Sequence, residues 1–174
     1  MKIRRLMAYL IDWYLITFFM NLLLAIFVIN KEGTMITNLI PIGYFKGIEQ
    51  FVVLGLLFVL EILYFCIIPT YLFKGQTIGK KILKIKVVNK DNSDVSFINL
   101  LKRDLIGAVF IEGSLLPLSN YIRNILIIYI GNTPVQYMVY IFTITTIVSL
   151  ALAVFGKEQK MLHDYVGGTK VVLV

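Results

Sequence analysis

The sequence is poor in the residues that build redox and metal sites. Its 174 residues include one cysteine, Cys66, and one histidine, His163. A single cysteine excludes an intrachain disulfide, and these two residues alone cannot complete a closed zinc site. No nucleophile-elbow sequence accompanies the histidine, so serine hydrolase chemistry has no support. We therefore expect no enzyme activity, no bound metal and no cofactor.

Charged residues are also scarce, at 16% of the chain, whereas 59% of the residues are apolar. Soluble domains are about 45–50% apolar, and a chain of this length has too little interior to hide the excess. Part of its solvent must therefore be lipid. The net charge of +7 would favour nucleic acid if the basic residues formed one face of a soluble fold. Here the basic residues are concentrated in particular segments between the apolar stretches, as in membrane proteins. We therefore expect no nucleic acid partner.

Four apolar stretches approach the roughly 20 residues that are needed to cross a bilayer. The third is too short unless its helix begins near Ser96, which is a suitable N-cap before an amphipathic turn. The run Tyr121–Ile130 is predicted to be a short interfacial helix. The fold class is thus an all-α integral membrane protein of about four transmembrane helices. It forms a single domain over 1–174, with spans at about 6–29, 51–73, 97–118 and 135–155, a loop at 74–96 and a tail at 156–174.

Lysine and arginine are distributed unevenly between the segments that connect these spans. Fourteen of the 17 lie in the first five residues, in the segment 74–104 or in the tail, and the remaining three are Lys31, Lys46 and Arg123. Basic residues accumulate on the cytoplasmic side of a membrane. The asymmetry therefore predicts a cell-membrane protein with both termini in the cytoplasm and an even number of crossings.

Two segments on that side have the pattern of β-strands. Leu83, Ile85 and Val87 alternate with lysines, as in a half-buried strand. The β-branched segment Thr169–Val174 follows a glycine pair that favours a turn. Each strand would be marginal alone, so we predict that they pair in a small cytoplasmic, β-hairpin-like element under the helices.

Three carboxylates lie inside predicted spans: Asp12, Glu61 and Glu112. An ionisable group at the centre of a span costs about 2.5–3.5 kcal/mol on insertion scales, so it usually faces protein or water. The helical rise places Asp12 and Glu112 roughly 10 Å deep and Glu61 roughly 18 Å deep from the cytoplasmic side. Such a stepped series suits an ion or proton relay. In the alternative, each group pairs with a cation or stays protonated as a hydrogen-bond donor.

Arg5 and Asp12 lie on one stripe of the first helix, with the small residue Ala8 between them. Helical side chains lean toward the N-terminus, so Arg5 points toward the headgroups and away from Asp12. We therefore expect each to meet another element. The predicted ion-pair partners are Arg103 for Asp12 and Asp164 for Arg5.

Four short motifs resemble those of the RDD family, which is named for an arginine and two aspartates. They are the run Arg5–Asp12, Thr77-Ile78-Gly79-Lys80, Leu162-His163-Asp164 and Gly168-Thr169-Lys170-Val171-Val172. The resemblance implies that Arg5, Asp12 and Asp164 are the functional positions. It also implies a largely bacterial group of membrane proteins. Transport of unidentified ligands has been suggested for the family, and sodium/proton exchange has been reported for some members. Other members look like accessory proteins of neighbouring membrane systems.

Two main functions follow as hypotheses, and the bilayer is the partner in both. The first is transport of a cation or small solute coupled to protons through Asp12, Glu61 and Glu112. A four-helix protomer offers little room for alternating access, so this hypothesis implies a homo-oligomer. The second is a non-catalytic accessory or regulatory subunit that binds another membrane protein. A lipid-facing structural role of the basic loop is a third.

Overall fold

The structure is a computed structural model that describes residues 1–33, 40–113 and 116–174. Its first helix, α1, spans Lys2–Glu32 and ends where Gly33 takes the left-handed conformation, with φ of 71°. Every fourth residue of α1 from Ala8 to Val28 is buried. The opposite side exposes large apolar side chains such as Phe18 and Ile26. One side of the helix therefore packs on protein, and the other is suited to lipid.

The second helix, α2, spans Ile48–Leu72 and follows a one-turn 3-10 helix at Ile42–Tyr44. It is α-helical from Ile48 to Ile62 and π-helical from Leu63 to Leu72. Long π-helical segments are rare, and short ones are frequently found at functional sites. The change in winding begins two residues after Glu61, which is buried on the packed side of α2.

A short helix and two strands form a layer beside the helices. Helix α3 spans Ile78–Ile82 and strand β1 spans Ile85–Asn89. Strand β2, Thr169–Leu173, pairs antiparallel with β1, so that Ile85 lies opposite Leu173. The predicted small sheet is confirmed. Its strands are separated in sequence by the helices from Phe97 to Gly167, so the sheet is not a hairpin.

The third predicted span differs from the structure at its end. Helix α4 spans Phe97–Glu112 and is capped by Ser96, whose Oγ accepts a hydrogen bond from the backbone N–H of Asn99 at 3.2 Å. It becomes π-helical from Lys102 and ends at Glu112 instead of continuing to residue 118. Gly113, with φ of 55°, terminates it. Pro117 begins the next helix, where its fixed φ and missing N–H are tolerated.

The remaining helices complete the bundle. Helix α5 spans Pro117–Ile130, which is longer than the predicted interfacial helix, and it is bent by 48° from α4. Helix α6 spans Asn132–Phe155, and the short helix α7 spans Leu162–Gly167. Within the described residues, α1, α2 and α6 are long and apolar enough to cross a membrane, and the bent pair α4–α5 gives a fourth if it is one span. The architecture is therefore helical with three to four candidate spans.

Both chain termini lie at one end of this bundle. The Nζ of Lys2 donates to the carbonyl of Val154 at the end of α6, at 2.7 Å. The backbone N–H of Val174 donates to the carbonyl of Lys84, at 3.0 Å. We call this end, which contains the start of α1 together with α3, α7, β1 and β2, the sheet end.

Candidate functional site: a buried charge cluster at the sheet end

Asp164 connects the tail to the first helix. It lies in the first turn of α7 and is fully buried. Its Oδ2 lies 2.6 Å from Nη2 of Arg5 and 3.0 Å from the backbone nitrogen of Met161. The Nη1 of Arg5 also donates to the carbonyl of Gln159, at 2.5 Å. The predicted Arg5–Asp164 ion pair is therefore present, and it holds the tail against the start of α1.

Arg103 occupies the other side of Asp164. Its Nε donates to Asp164 Oδ1 at 3.1 Å, and its Nη1 donates to Asp104 Oδ1 at 2.7 Å. The predicted pairing of Arg103 with Asp12 is wrong, because the tail helix α7 brings a second aspartate directly onto α4. Burial by itself raises the pKa of Asp164. The charges of Arg103 and Arg5, and of His163 when it is protonated, outweigh that effect and hold the pKa well below its usual range.

His163 bridges Arg103 and Glu112. Its Nε2 lies 2.9 Å from Nη2 of Arg103, and its Nδ1 lies 3.0 Å from both oxygens of Glu112. A guanidinium can only donate hydrogen bonds, so Nε2 must accept. The ring hydrogen is then on Nδ1 and is donated to Glu112. This arrangement requires a neutral imidazole in one defined tautomer.

Glu112, the last residue of α4, accepts several hydrogen bonds. Its Oε1 accepts from the backbone N–H of His163 at 3.0 Å and from Oγ of Ser149 at 2.6 Å. The same Ser149 hydroxyl accepts from the backbone N–H of Leu162 at 2.9 Å. Glu112 therefore fixes α7 against α4 and α6, and its contacts are those of a structural carboxylate.

Asp12 of α1 has a comparable set of donors. Its Oδ1 accepts from the hydroxyl of Tyr64 at 2.6 Å and from the backbone N–H of Gly79 at 2.8 Å. Its Oδ2 accepts from Oγ1 of Thr77 at 2.5 Å, and Nζ of Lys80 lies 4.0 Å away. Asp12 thus binds the start of α3 from inside the bundle. The Thr77-Ile78-Gly79-Lys80 motif is the segment that it binds.

Three glycines permit this close packing. A methyl group on Gly79 would lie 2.8 Å from Oδ1 of Asp12. One on Gly107 would lie 2.6 Å from Cβ of His163, and one on Gly167 would lie 2.6 Å from Cβ of Arg103. Real Cβ atoms do not approach other atoms so closely, so α4 and α7 are in backbone contact that only glycine allows.

Glu61 differs from every other carboxylate of this end. It is 0% exposed, and neither carboxyl oxygen has a hydrogen-bond partner among the described residues. Asp104 lies near enough to act on it electrostatically, with the same sign of charge. In the part of the chain that the structure describes, no group of three or more His, Cys, Asp or Glu side chains is placed to hold a metal ion.

The buried charges of the sheet end do not balance. Lys160 is excluded from the count, because its partner is the exposed Glu158. Among the described residues, five carboxylates then face three basic side chains and a neutral His163: Asp12, Glu61, Asp104, Glu112 and Asp164 against Arg5, Lys80 and Arg103. Uncompensated buried charge is costly. Protons or bound cations are therefore needed to neutralise the cluster.

The six candidate residues that were predicted from the sequence do not form one group in the structure. Arg5, Arg103, Glu112 and Asp164 belong to one network, while Asp12 belongs to a second one around α3, and Glu61 stands apart from both. Sequence reasoning missed the partners that complete these networks. They are Tyr64, Thr77, Lys80, Asp104 and Ser149. Of these, only the Thr-x-Gly-Lys motif gave any indication before the fold was known.

Comparison with known proteins supports the resemblance seen in the motifs. The family model described as RDD family matches residues 3–168, which is nearly the whole chain. No curated protein and no solved structure matches the chain significantly. The matched range includes Arg5, Asp12 and Asp164, the positions at which the two networks are built. With apolar helices of membrane-spanning length and this match over almost its full length, the chain belongs to the RDD family.

Proposed function

We propose that this RDD-family membrane protein moves protons across the bilayer, coupled to a cation or small solute, and that Glu61 is the group that binds the proton. One observation carries the proposal: Glu61 is completely buried in a candidate span, and none of the residues that the structure describes forms a hydrogen bond with its carboxyl group. Ionisable groups inside membrane spans mark ion and proton pathways unless they are paired.

The energetics of Glu61 favour a role that includes binding and release. An ionised carboxylate that is enclosed without donors is strongly disfavoured, so a proton or a cation must accompany it. A proton or a cation can be bound and released, whereas a basic side chain on another helix would stay in place. The π-helical segment Leu63–Leu72 begins beside Glu61. A change in the winding of this segment provides a physical means of turning Glu61 toward either side of the membrane.

The same criterion gives Asp12 and Glu112 a different role. Each accepts at least three hydrogen bonds from defined donors, which hold the carboxyl group in one position. Of the three carboxylates, Glu61 is therefore the one that we assign to ion binding, whereas Asp12 and Glu112 hold neighbouring elements in place. Since one protomer has only three to four candidate spans, transport further implies a homo-oligomer. Native mass spectrometry in detergent measures that property directly.

The test is proton movement in proteoliposomes that contain a pH-sensitive dye. Wild type is compared with Glu61→Gln under sodium and potassium gradients. Glu49→Gln is the matched control, because it makes the same chemical change on the same helix at a half-exposed position. We expect flux in wild type and in the control, and none in Glu61→Gln. Undiminished flux in a folded Glu61→Gln variant would contradict the proposal.

The alternative function is a non-catalytic accessory that binds another membrane protein. It is favoured by the fact that Arg5, Asp12 and Asp164 are all engaged in contacts that join separate elements. Residues that join separate helices in this way stabilise the folded structure. A wild-type protein that is silent in every gradient would favour this alternative, and cross-linking in native membranes followed by mass spectrometry would then identify the partner.

A further inference from the structure

A hydrogen-bonded chain of side chains runs from the surface of the sheet end into the bundle. The Nζ of Lys80 donates to Oγ1 of Thr77 at 3.3 Å. Oγ1 of Thr77 donates to Oδ2 of Asp12 at 2.5 Å. The hydroxyl of Tyr64 donates to the other oxygen, Oδ1, at 2.6 Å. We call these four residues the Lys80–Tyr64 chain.

The two ends of the Lys80–Tyr64 chain lie in different surroundings. The side chain of Lys80 is 13% exposed, which makes it the most accessible of the four. Tyr64 is buried and lies three residues after Glu61, one helical turn away. Residues at this spacing lie on the same side of a helix. The inner end of the chain therefore lies on the same side of α2 as Glu61, one helical turn along, and no hydrogen bond joins the Tyr64 hydroxyl to Glu61 in the part of the chain that the structure describes.

We propose that the Lys80–Tyr64 chain carries protons between the sheet end and Glu61. The inference rests on the proposed role of Glu61 as a proton-binding group and adds the route by which that proton arrives. Every group in the route has the chemistry required: an ammonium donates, a carboxylate accepts, and the two hydroxyls do both.

The transfer conserves protons at each atom. The Lys80 ammonium gives a proton to Oγ1 of Thr77, which passes its own hydrogen to Oδ2 of Asp12. The neutral carboxyl group of Asp12 then turns about its Cβ–Cγ bond, so that its protonated oxygen faces Tyr64. The hydroxyl group of Tyr64 rotates toward Glu61, its O–H bond breaks as the hydrogen is transferred to the Glu61 carboxylate, and the phenol oxygen takes the proton of Asp12 in exchange. The Lys80 amine regains a proton from water. The net change is one proton moved from water to Glu61.

Lys80 is suited to the outer position. Burial lowers its pKa, so it releases a proton more readily than an ordinary lysine. The charged groups that face it are Asp12 from α1, Arg103 and Asp104 from α4, and Asp164 from α7. The Phe65 ring of α2 lies 5.9 Å from its Nζ. Its neighbour Lys81 is exposed instead, over the ring of Phe73.

A purely structural role for the same contacts predicts a different result. Asp12 and Thr77 also hold the start of α3, through the N–H groups of Gly79 and Lys80. Substituting either one would change folding and proton transfer together. Tyr64→Phe and Lys80→Met leave those backbone contacts in place and remove only a link of the route. Lys80→Arg keeps a cation that does not release its proton, and it serves as a second variant where methionine prevents folding.

The experiment follows hydrogen–deuterium exchange of the Glu61 carboxyl by infrared spectroscopy of the full chain in lipid. Its C=O band is identified as the one lost in Glu61→Gln. We expect exchange to slow by about tenfold or more in Tyr64→Phe and in Lys80→Met, as when one proton-transfer group is removed from an active site. Lys81→Met and Tyr121→Phe, a half-buried tyrosine of α5, are the matched controls and should exchange like wild type.

The outcomes separate the route from the proposed function. Wild-type exchange rates in folded Tyr64→Phe and Lys80→Met overturn the route, even if Glu61→Gln abolishes flux. Slow exchange in both variants supports the route, even if wild type transports nothing in proteoliposomes. The absence of any carboxylic acid band that depends on Glu61 means that Glu61 is not protonated, and it overturns both.

Discussion

At the sheet end, Asp164 is completely buried and meets two arginines, whereas at the opposite end the Lys31–Glu49 pair leaves each side chain about half exposed (44% and 50%). The opposite end is held by apolar contacts among residues such as Val28, Ile42 and Phe45. The sheet end instead joins α1, α4, α6 and α7 through polar groups. The ion pairs of the sheet end therefore depend on one another for stability. The ion pair at the opposite end contributes little to the stability of the protein.

The largest difference between the ends should appear in Asp164→Asn. This change leaves Arg5 and Arg103 without their shared carboxylate, and losing one partner of a buried ion pair costs about 3–5 kcal/mol. Glu49→Gln removes the partner of Lys31 and should cost less than about 1 kcal/mol. Unfolding in detergent, followed by circular dichroism, measures both. Equal losses in the two variants would show that the distinction between the ends is wrong.

Acid should reveal the same contribution of Asp164 without a large structural change. Its folded pKa lies below the unfolded value, so its stabilisation is present above about pH 4, the ordinary aspartate pKa. That stabilisation is lost as the pH falls from there through the folded pKa. The stability of wild type should therefore converge on that of Asp164→Asn in acid. A constant difference between the two at every pH would contradict this assignment.

A smaller loss of stability is expected when the close backbone contact between α4 and α7 is disturbed than when a buried charge is removed. In Gly107→Ala the new methyl group would lie 2.6 Å from Cβ of His163, which forces α4 away from α7. Such overpacking costs about 1–3 kcal/mol. The control is Gly55→Ala in α2, where the described residues outside the adjoining backbone of the helix have no atom within 4 Å of the new methyl group. It should be neutral or gain up to about 1 kcal/mol from helix propensity. Thermal unfolding of the pair distinguishes these results, and a loss in both would contradict the packing argument.

The smallest effect is expected for Lys31→Met at the opposite end. Its ion pair with Glu49 is half exposed, so the loss should be below about 1 kcal/mol and should shrink further in high salt. Arg5→Met is its counterpart at the sheet end, and it removes a bond to Asp164 that is buried on the aspartate side. A chemical unfolding series at low and high salt compares them. If Lys31→Met lost as much stability as Arg5→Met at both salt concentrations, the proposed difference between the two ends would be contradicted.

The sequence predicted those features that depend on local pattern. Hydropathy located α1, α2 and α6, the alternation around Ile85 located a strand, and the Ser96 N-cap located the start of α4. The Arg5–Asp164 pair was predictable because the side-chain lean of α1 points Arg5 out of the membrane. In each case the deciding information lies within a few neighbouring residues, or in the requirement that a charge find a partner.

The remainder depends on contacts between residues that are distant in sequence. Asp12, Glu61 and Glu112 were all candidates for one relay along the chain, and only the packing of α7 and α3 shows that Asp12 and Glu112 have hydrogen-bond donors. Ser149 is an unremarkable residue of an apolar helix until Leu162 and Glu112 meet at its hydroxyl. The end of α4 at Gly113 was missed because the predicted span of about 97–118 continued past Pro117, which is the beginning of the next helix.

The contacts of α7 have a consequence for how the protein is made. Synthesis proceeds from the N-terminus, so α1, α4 and α6 are complete before Asp164 and His163 exist. Until then Arg103 and Glu112 lack the partners that the tail supplies. The arrival of the last helix therefore completes the bundle as a final assembly step. A ribosome stalled before residue 162 should leave a chain whose inserted helices are open to membrane quality-control proteases, and release past Asp164 should end that exposure.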